Sequence, residues 1–326
     1  MKSFLLKRLL QTTIVFVLVS IFAFCIVYFA PGDPLYQYTS PSVSTHKMSD
    51  EQLESMRESL GLTGNVFERY GSWAVKMAQG DWGLSTSNHQ PVKDQIVNRL
   101  PNTIGLMGAA LVLSLLVSIP LGLMAGFWKH KLPDNLISLF SYLGISVPTF
   151  WFGIMLIILF PLMLGWLPSS GMRTIGVEDP IDVMRHAVLP VLALSVNNTA
   201  VFVRYLRSNT IVQLQEEYVT TALSSGIPMR RILKNHVLRN SVLPLITMVG
   251  MNFGTLITGS FIVEAVFGWP GLGTLCMDAV NNRDYTMIMG ITMLASFMLL
   301  LGNFLADVLY GIVDPRIKQG AGEDRA

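Results

Sequence analysis

Long apolar runs separated by polar stretches extend over most of the chain. A helix needs about 20 mainly apolar residues to cross a lipid bilayer, and six segments without charged side chains meet or approach that length. We expect the fourth and shortest to continue past Arg204, because a long basic side chain can reach the membrane surface from within a helix. The predicted spans are Leu9–Ala30, Ile104–Phe127, Leu136–Leu164, Ala187–Phe202, Ser241–Val263 and Met287–Ala306.

Two of these runs carry additional features. Pro148 and Pro161 lie inside the third run, which predicts a kink or an early end, because proline interrupts helical hydrogen bonding. Leu9–Ala30 follows Lys7 and Arg8 as a signal peptide would, but its apolar region is too long and no small-residue cleavage site follows it. We therefore expect a retained first helix, and an all-α, polytopic membrane protein with six transmembrane helices.

The composition agrees with a membrane location. Hydrophobic residues make up 51% of the 326 residues and charged residues only 13%, against roughly 25% charged residues in soluble domains. A soluble protein of this length would need more surface charge, so a lipid bilayer is the expected environment. Cys25 lies in an apolar run and Cys276 in a later loop, and the pair predicts no disulfide framework.

Basic residues are concentrated on one side of the predicted spans. With a cytoplasmic N-terminus, the inner segments carry a net positive charge and the outer segments a net negative one. Short, positively charged loops stay in the cytoplasm. The chain is therefore predicted to lie in the cell (inner) membrane with both termini on the cytoplasmic side. The short inner segments that decide this contain Lys2, Lys7, Arg8, Lys129, Lys131, Arg316 and Lys318.

Three regions follow from these spans. Residues 1–103 hold the first helix and a large extracytoplasmic segment. Residues 104–313 form a five-helix core with an inner loop at 207–240. Residues 314–326 form a cytoplasmic tail.

The extracytoplasmic segment is too long for a simple connection. Met48–Leu60 predicts an amphipathic surface helix that Ser49 or Asp50 would cap. The segment either covers helix ends or receives a partner or substrate. Three aromatic residues in it suit a membrane interface, namely Tyr70, Trp73 and Trp82.

The chain lacks the sequence motifs of common catalytic sites. It contains no Gly-x-x-x-x-Gly-Lys-Ser/Thr, His-Glu-x-x-His, Cys-x-x-Cys or Gly-x-Ser-x-Gly. We therefore predict no catalytic residue, no metal site and no nucleic-acid partner. Asp307 near the end of the last span is either a functional ionisable residue or the ion-pair partner of Arg204 or Arg207. Since the chain shows no energy source of its own, a partner is expected to supply one.

Short motifs from one end of the chain to the other resemble the permease subunits of ATP-binding-cassette (ABC) importers for oligopeptides, dipeptides and nickel. Their order and spacing together make the resemblance specific. The motifs are Ala30-Pro31-Gly32-Asp33-Pro34, Leu60-Gly61-Leu62, Tyr70-Gly71-x-Trp73, Gly80-Asp81-x-Gly83-x-Ser85, Arg99-Leu100-Pro101-Asn102-Thr103, Ser146-Val147-Pro148, Phe150-Trp151, Gly165-Trp166-Leu167-Pro168, Leu189-Pro190, Glu264-x-x-Phe267-x-Trp269-Pro270-Gly271-Leu272-Gly273, Asp284-Tyr285 and Asp314-Pro315-Arg316-Ile317.

The inner loop at 207–240 is similar to the ATPase-docking motif of that family. Gly226 and Ala222 match the motif, whereas Thr220 and Thr221 replace its Glu and first Ala. The motif's Leu-Pro close is matched by Leu243-Pro244, several residues late. The resemblance assigns an ATPase-coupling role to Tyr218, Thr221, Ala222, Ser225, Gly226, Ile227, Pro228 and Arg230.

The residues of this loop also predict its shape. Gly226 permits a backbone turn that other residues resist, and Pro228 suits the first turn of a following helix. Two short helices around a sharp corner would form a rigid knob that transmits rigid-body motion. Arg230, Arg231 and Lys234 are expected to face lipid headgroups or an acidic rim.

The resemblance implies the rest of the assembly. It implies a type I ABC importer permease that pairs with a second, homologous permease subunit, two ATPase subunits and an extracytoplasmic substrate-binding protein. ATP and Mg would be bound by the ATPases, with no cofactor in this chain. Peptides are the expected substrate and a nickel chelate is the alternative. Two alternatives belong to other classes of membrane protein: an autonomous secondary carrier, and a structural or sensory membrane subunit.

Two further groups of residues are candidates for the transport pathway. One recurs at helical spacing on the fifth span, where it would either line the pathway or pack against other helices: Thr247, Met248, Met251, Asn252, Thr255 and Thr258. The other belongs to a Gly- and Pro-rich re-entry, which would be an outer gate or a turn that closes the bundle: Glu264, Phe267, Trp269, Pro270 and Gly271.

Overall fold

The computed structural model describes residues 2–29, 55, 65–242, 245, 248–250 and 261–313. These residues form helices, and within them the only strand-like pairing is one antiparallel bridge between Leu84 and Pro91. The helices are α1 (Lys2–Phe29), α2 (Val66–Ala78), α3 (Val92–Phe127), α4 (Leu132–Ser146), α5 (Thr149–Ile157), α6 (Pro180–Leu214), α7 (Glu217–Ser224), α8 (Met229–Ile232), α9 (Phe261–Phe267), α10 (Leu272–Asn281) and α11 (Tyr285–Val313).

Four of the six predicted spans are single long apolar helices. Helices α1, α3, α6 and α11 contain stretches that are long and apolar enough to cross a membrane, at Leu6–Phe29, Val92–Phe127, Pro180–Leu214 and Tyr285–Leu305. As expected, α6 continues well past Arg204. The fifth predicted span, Ser241–Val263, lies largely outside the described residues.

The third predicted span is bent rather than straight. Helix α4 ends at Ser146, Pro148 precedes α5, and the two helical segments meet at 98°. The cause is local, because a residue before proline is pushed out of the helical region, and Val147 has φ −85° and ψ 123°. Pro161 does not end the helix at once; it lies in wider π-helical turns, Ile158–Leu164, which end at Gly165.

Helices α3 and α6 pack along each other at the centre of the molecule. Their contact includes the buried Ser114, whose Oγ lies 2.7 Å from the Ala110 carbonyl oxygen and 3.1 Å from that of Ser195. Phe202 and Leu206 are almost fully buried on the facing side of α6. Small and apolar side chains at this contact allow the two long helices to approach closely.

Helix α2 in the first polar segment was not anticipated from the sequence. It begins with a capping box in which Asn65 Oδ1 accepts from the Glu68 N–H at 2.9 Å and the Asn65 N–H donates to Glu68 at 3.2 Å. Tyr70 and Trp73 on this helix pack against Phe24 of α1, and Tyr70 Oη lies 2.8 Å from Ser20 Oγ. The predicted helix Met48–Leu60 lies outside the described residues, apart from the helical Ser55.

Candidate functional site

The loop after α6 folds as a helix, a corner and a second helix. We call residues 217–237 the knob: it comprises α7, the corner around Gly226, and α8 with its π-helical continuation Leu233–Val237. The knob has a small core of its own, formed by the buried Val219, Ile232 and Val237. Partly buried side chains close this core, namely Leu214, Tyr218, Ala222, Ile227, Met229 and Leu233.

The corner has the geometry of a helix end that requires glycine. Gly226 has φ +77°, a conformation that costs other residues energy. The Ile227 N–H donates to the Ala222 carbonyl at 3.1 Å and the Gly226 N–H donates to the Leu223 carbonyl at 3.0 Å, which is a Schellman motif. A Cβ placed at Gly226 would meet nothing within 4 Å, so backbone conformation and not space requires glycine here.

Pro228 lies one position earlier than expected. It is the cap of α8 rather than part of its first turn, with φ −66° and an extended ψ of 140°. Its carbonyl oxygen accepts from the Arg231 N–H at 2.8 Å and from the Ile232 N–H at 3.3 Å. Its ring therefore sets the direction of the chain as it enters α8, because proline fixes φ.

The eight residues predicted for ATPase coupling divide into two groups. Thr221, Ser225, Gly226, Pro228 and Arg230 are exposed. Tyr218, Ala222 and Ile227 are partly buried in the knob core, where the Tyr218 hydroxyl donates to Gln213 Oε1 at 2.9 Å. The second group therefore shapes the knob while the first forms its surface.

Sequence reasoning missed two features of the knob. Leu223 is 45% exposed beside the corner and is an apolar side chain on an otherwise polar surface. The core residues Val219, Ile232 and Val237 were also missed. Spacing of apolar residues by three to five positions along α8 and its continuation was the available indication.

The candidate gate residues form a closed turn, which we call the Trp269 turn (Glu264–Gly273). Glu264 is fully buried on α9, and its Oε2 accepts from the Gly273 N–H at 2.6 Å. Its backbone carbonyl accepts from the Trp269 N–H at 2.9 Å. Gly268, with φ +60°, reverses the chain between them.

The Trp269 turn is hydrogen-bonded to Asn102 and Thr103, about three turns into α3. Trp269 is 3% exposed, and its indole N–H donates to the Asn102 carbonyl at 3.1 Å. Asn102 Nδ2 donates to the Pro270 carbonyl at 2.8 Å, and the Leu272 N–H donates to Thr103 Oγ1 at 2.8 Å. These contacts describe a turn that closes a helix bundle; the gate role remains a prediction.

A buried carboxylate joins two motifs that are about 200 residues apart in the chain. Asp284 Oδ2 accepts from the hydroxyls of Ser85 and Ser87, the latter at 3.0 Å, and its Oδ1 accepts from the Thr86 N–H at 3.2 Å. Two further backbone N–H groups donate to this carboxylate, from Ser87 at 3.4 Å and from Met287, in the first turn of α11, at 3.1 Å. The sequence contained both motifs but gave no indication that they meet.

The predicted pathway stripe is described at one position only. Met248 is partly buried and packs against the cluster formed by Phe202, Leu206 and Leu245, which fits the helix-packing alternative at that position. The other five residues lie outside the described part of the chain: Thr247, Met251, Asn252, Thr255 and Thr258.

Arg207 forms an ion pair that the sequence did not suggest. Its guanidinium binds Asp134 on α4, with Nε at 2.5 Å and Nη2 at 2.8 Å from the two carboxylate oxygens. Arg204, the other expected partner of Asp307, lies over the ring of Tyr142 at 4.9 Å. The side chain of Asp307 lies outside the described residues.

Comparison with known proteins identifies the family. The family described as "binding-protein-dependent transport system inner membrane component" matches residues 118–319, and its N-terminal counterpart matches residues 1–107. The chain belongs to this family. It is therefore a transport permease rather than an enzyme, and its apolar helices are those of a multi-pass membrane protein.

Relatives match along the full length of the chain. The oligopeptide transport system permease protein AppB of Bacillus subtilis is 37% identical over 320 residues, which cover 98% of this chain and 100% of that protein. The glutathione transport system permease protein GsiC of Escherichia coli is 34% identical over 318 residues, with 98% and 99% covered. A putative peptide permease protein of Brucella ovis is 33% identical over 320 residues, with 98% and 99% covered.

A solved structure shows the fold. The MetNI methionine ABC transporter in an inward-facing conformation superposes with a TM-score of 0.51 at 13% identity, covering 66% of this chain and 96% of that chain. The expected all-α fold of a type I ABC importer permease is thereby confirmed.

Proposed function

We propose that this chain is one of two permease subunits of an ATP-driven importer that takes up di- and oligopeptides. The observation that carries the proposal is the exposed helix–corner–helix knob at the end of α6, in a chain whose full-length relatives are named as peptide and glutathione permeases. The nickel-chelate alternative is not favoured by these relatives.

The knob is the element that an ATPase subunit would bind. Its core and its Schellman corner make it rigid, and its exposed residues around Gly226 are small or polar, apart from Leu223. Two partner ATPases would bind ATP and Mg²⁺ and close on the nucleotide. The knob would follow that movement and bias the spans between inward and outward openings, a two-state change driven from a distant site.

Two positions along α3 support opposite locations for the knob and the Trp269 turn. Asn102, in the first third of the helix, contacts the turn, and Gly126 near the end of the helix lies against α6 shortly before the knob. At 1.5 Å per residue these positions are separated by about 36 Å along the helix, slightly more than the roughly 30 Å of a bilayer core. With basic loops inside, the knob and both termini would face the cytoplasm, and the Trp269 turn would face the substrate-binding protein.

The experiment that tests the proposal compares two matched glycines. Gly226 and Gly176 both have positive φ, +77° and +82°, and neither has an atom within 4 Å of a built Cβ, but Gly176 belongs to the loop before α6. Cells that lack the protein would be complemented with wild type, Gly226→Trp or Gly176→Trp. Uptake of labelled dipeptide, longer peptide and nickel would be measured together with co-purification of the ATPases.

Wild type and Gly176→Trp are expected to restore peptide uptake and to retain the ATPases. Gly226→Trp is expected to lose both, because an indole at the corner would hold the ATPase surface away from the knob. Restored nickel uptake in place of peptide would keep the mechanism and change the substrate. Normal uptake by Gly226→Trp present in the membrane would instead favour an autonomous carrier.

A further inference from the structure

The ion pair between Asp134 and Arg207 has a geometry built for a fixed alignment. Asp134 belongs to the first turn of α4 and is 1% exposed, whereas Arg207 lies on α6, seven residues before its end. Two N–H groups of the guanidinium face the two carboxylate oxygens, at 2.5 and 2.8 Å. Such a fork restricts orientation as well as distance.

The same carboxylate also holds the linker between α3 and α4. The His130 N–H donates to Asp134 Oδ2 at 2.8 Å, and the Ser138 hydroxyl donates to Oδ1 at 3.2 Å. His130 has φ +62°, a conformation that a non-glycine residue keeps only when its surroundings impose it. Asp134 therefore joins α6, the α3–α4 linker and α4 at one point.

A second contact lies on the same stretch of α6. Thr210, three residues after Arg207, is fully buried against Gly126 of α3, where a Cβ would overlap its side chain. Four residues later, Leu214 is already part of the knob core. The distance from Arg207 to Leu214 is only about 10 Å at 1.5 Å per helical residue, so knob and ion pair are connected by two turns of helix.

We propose that Asp134 and Arg207 are positioning residues for transport, which make α4 and the end of α6 move as one body with the knob. This inference rests on the proposed function, in which an ATPase moves the knob. Displacement of the knob would then shift the start of α4, and through α4 the 98° bend that leads into α5. Movement of the ATPase would then reach the membrane helices through the Asp134 carboxylate as well as along α6.

Stability alone is a weak explanation for this pair. Desolvation of the buried Asp134 carboxylate offsets part of the attraction, and Arg207 keeps 29% of its side chain exposed to solvent, which weakens the pair further. A role in aligning α4 with α6 would require the two parallel hydrogen bonds of the guanidinium and not only its charge. Lysine at position 207 would keep the charge and lose the fork.

The test uses the assembled transporter, with its ATPases and binding protein, in proteoliposomes. Peptide uptake and ATP hydrolysis are measured together for wild type, Asp134→Asn, Arg207→Lys and Arg204→Lys. Arg204→Lys is the matched control, because Arg204 also joins α6 to α4, through the Tyr142 ring at 4.9 Å, without a carboxylate. Should Asp134→Asn lower the amount of complex, Arg207→Lys still supplies the measurement.

We expect peptide transported per ATP hydrolysed to fall by about two- to thirtyfold in Arg207→Lys and Asp134→Asn, the range over which residues between coupled sites act. Arg204→Lys should keep the wild-type ratio. An unchanged ratio in both test variants, with uptake and hydrolysis falling only in proportion to assembled complex, would make the pair structural and overturn the inference. Peptide uptake by wild type that needs no ATP would overturn the proposed function, and this inference with it.

Discussion

The knob and the Trp269 turn both depend on glycine, but Gly226 in the knob and Gly271 and Gly273 in the turn are required for different physical reasons. At Gly226 the backbone has a positive φ, and the space where a side chain would project is empty. At Gly271 and Gly273 the space is filled, so that a Cβ would overlap with Glu264 at either position and with Phe261 at Gly273. The knob is thus an open corner with a small core, whereas the Trp269 turn is enclosed by the bundle.

The knob therefore offers a surface that another protein can contact, whereas the Trp269 turn packs within the helix bundle. The exposed corner leaves Leu223, Ser225 and Pro228 accessible to another protein. In the Trp269 turn, Glu264 and Trp269 are buried and use their polar groups within the chain. Substitutions should therefore affect stability in the Trp269 turn and partner binding in the knob.

The largest effect on stability is expected for Gly273→Ala. The new methyl group would overlap with the Phe261 backbone and the Glu264 carboxylate, and overpacking of this kind costs about 1–3 kcal/mol or more. Thermal unfolding in detergent should show a lower Tm and less protein in the membrane. Gly108→Ala, at a helical position with nothing within 4 Å, is the control; equal Tm values for both variants would contradict an enclosed turn.

A loss of stability of comparable size is expected for Asp284→Ala. The change removes an acceptor shared by the hydroxyls of Ser85 and Ser87 and by three backbone N–H groups, and a hydrogen bond to a charged group contributes about 1.5–3 kcal/mol. Limited proteolysis between Leu84 and Pro91 should become faster. Asp278→Ala, which changes an exposed carboxylate on α10, should be cleaved at the wild-type rate, and similar rates for both variants would argue against this joint.

Gly226→Ala should lower the free energy of unfolding by less than either of these two changes. Only the left-handed conformation opposes the new methyl group, a penalty of about 1–2 kcal/mol, and Gly226→Asn should cost less because asparagine tolerates that conformation. Chemical denaturation of the purified wild type and the two variants would rank glycine, asparagine and alanine at position 226 by their free energies of unfolding. If alanine were as stable as glycine, the φ of +77° would not be the reason for glycine at the corner.

Leu223→Ser should have the smallest effect on stability, within about 0.5 kcal/mol for an exposed position. If the knob is the ATPase-binding surface, the same change should weaken ATPase binding, measurable as a faster dissociation of the complex. Val280→Ser, which changes an exposed apolar residue on α10, should leave dissociation unchanged. Unaltered ATPase binding by Leu223→Ser would remove this side chain from the proposed contact.

Much of the fold was predictable because membrane spans are encoded by consecutive residues. The apolar lengths predicted α1, α3, α6 and α11, and Pro148 predicted the break between α4 and α5. Their boundaries were less accurate: α3 begins at Val92, twelve residues before the predicted span, because its amphipathic first turns pack Val92 and Ile96 against α10 and α11. Polar residues hid that helical extension from a search for apolar runs.

The sequence by itself determined the class of the protein, its family and the corner at Gly226, since each depends on neighbouring residues or on motifs in fixed order. Only the tertiary structure decided that Arg207 binds Asp134, that Asp284 holds Ser85, and that the Trp269 turn is enclosed. Those partners are far apart in the chain, and a charged or polar residue has many possible partners until the helices pack. Local backbone and solvation requirements can be read from consecutive residues, whereas the pairing of distant polar groups is selected by which helix faces meet.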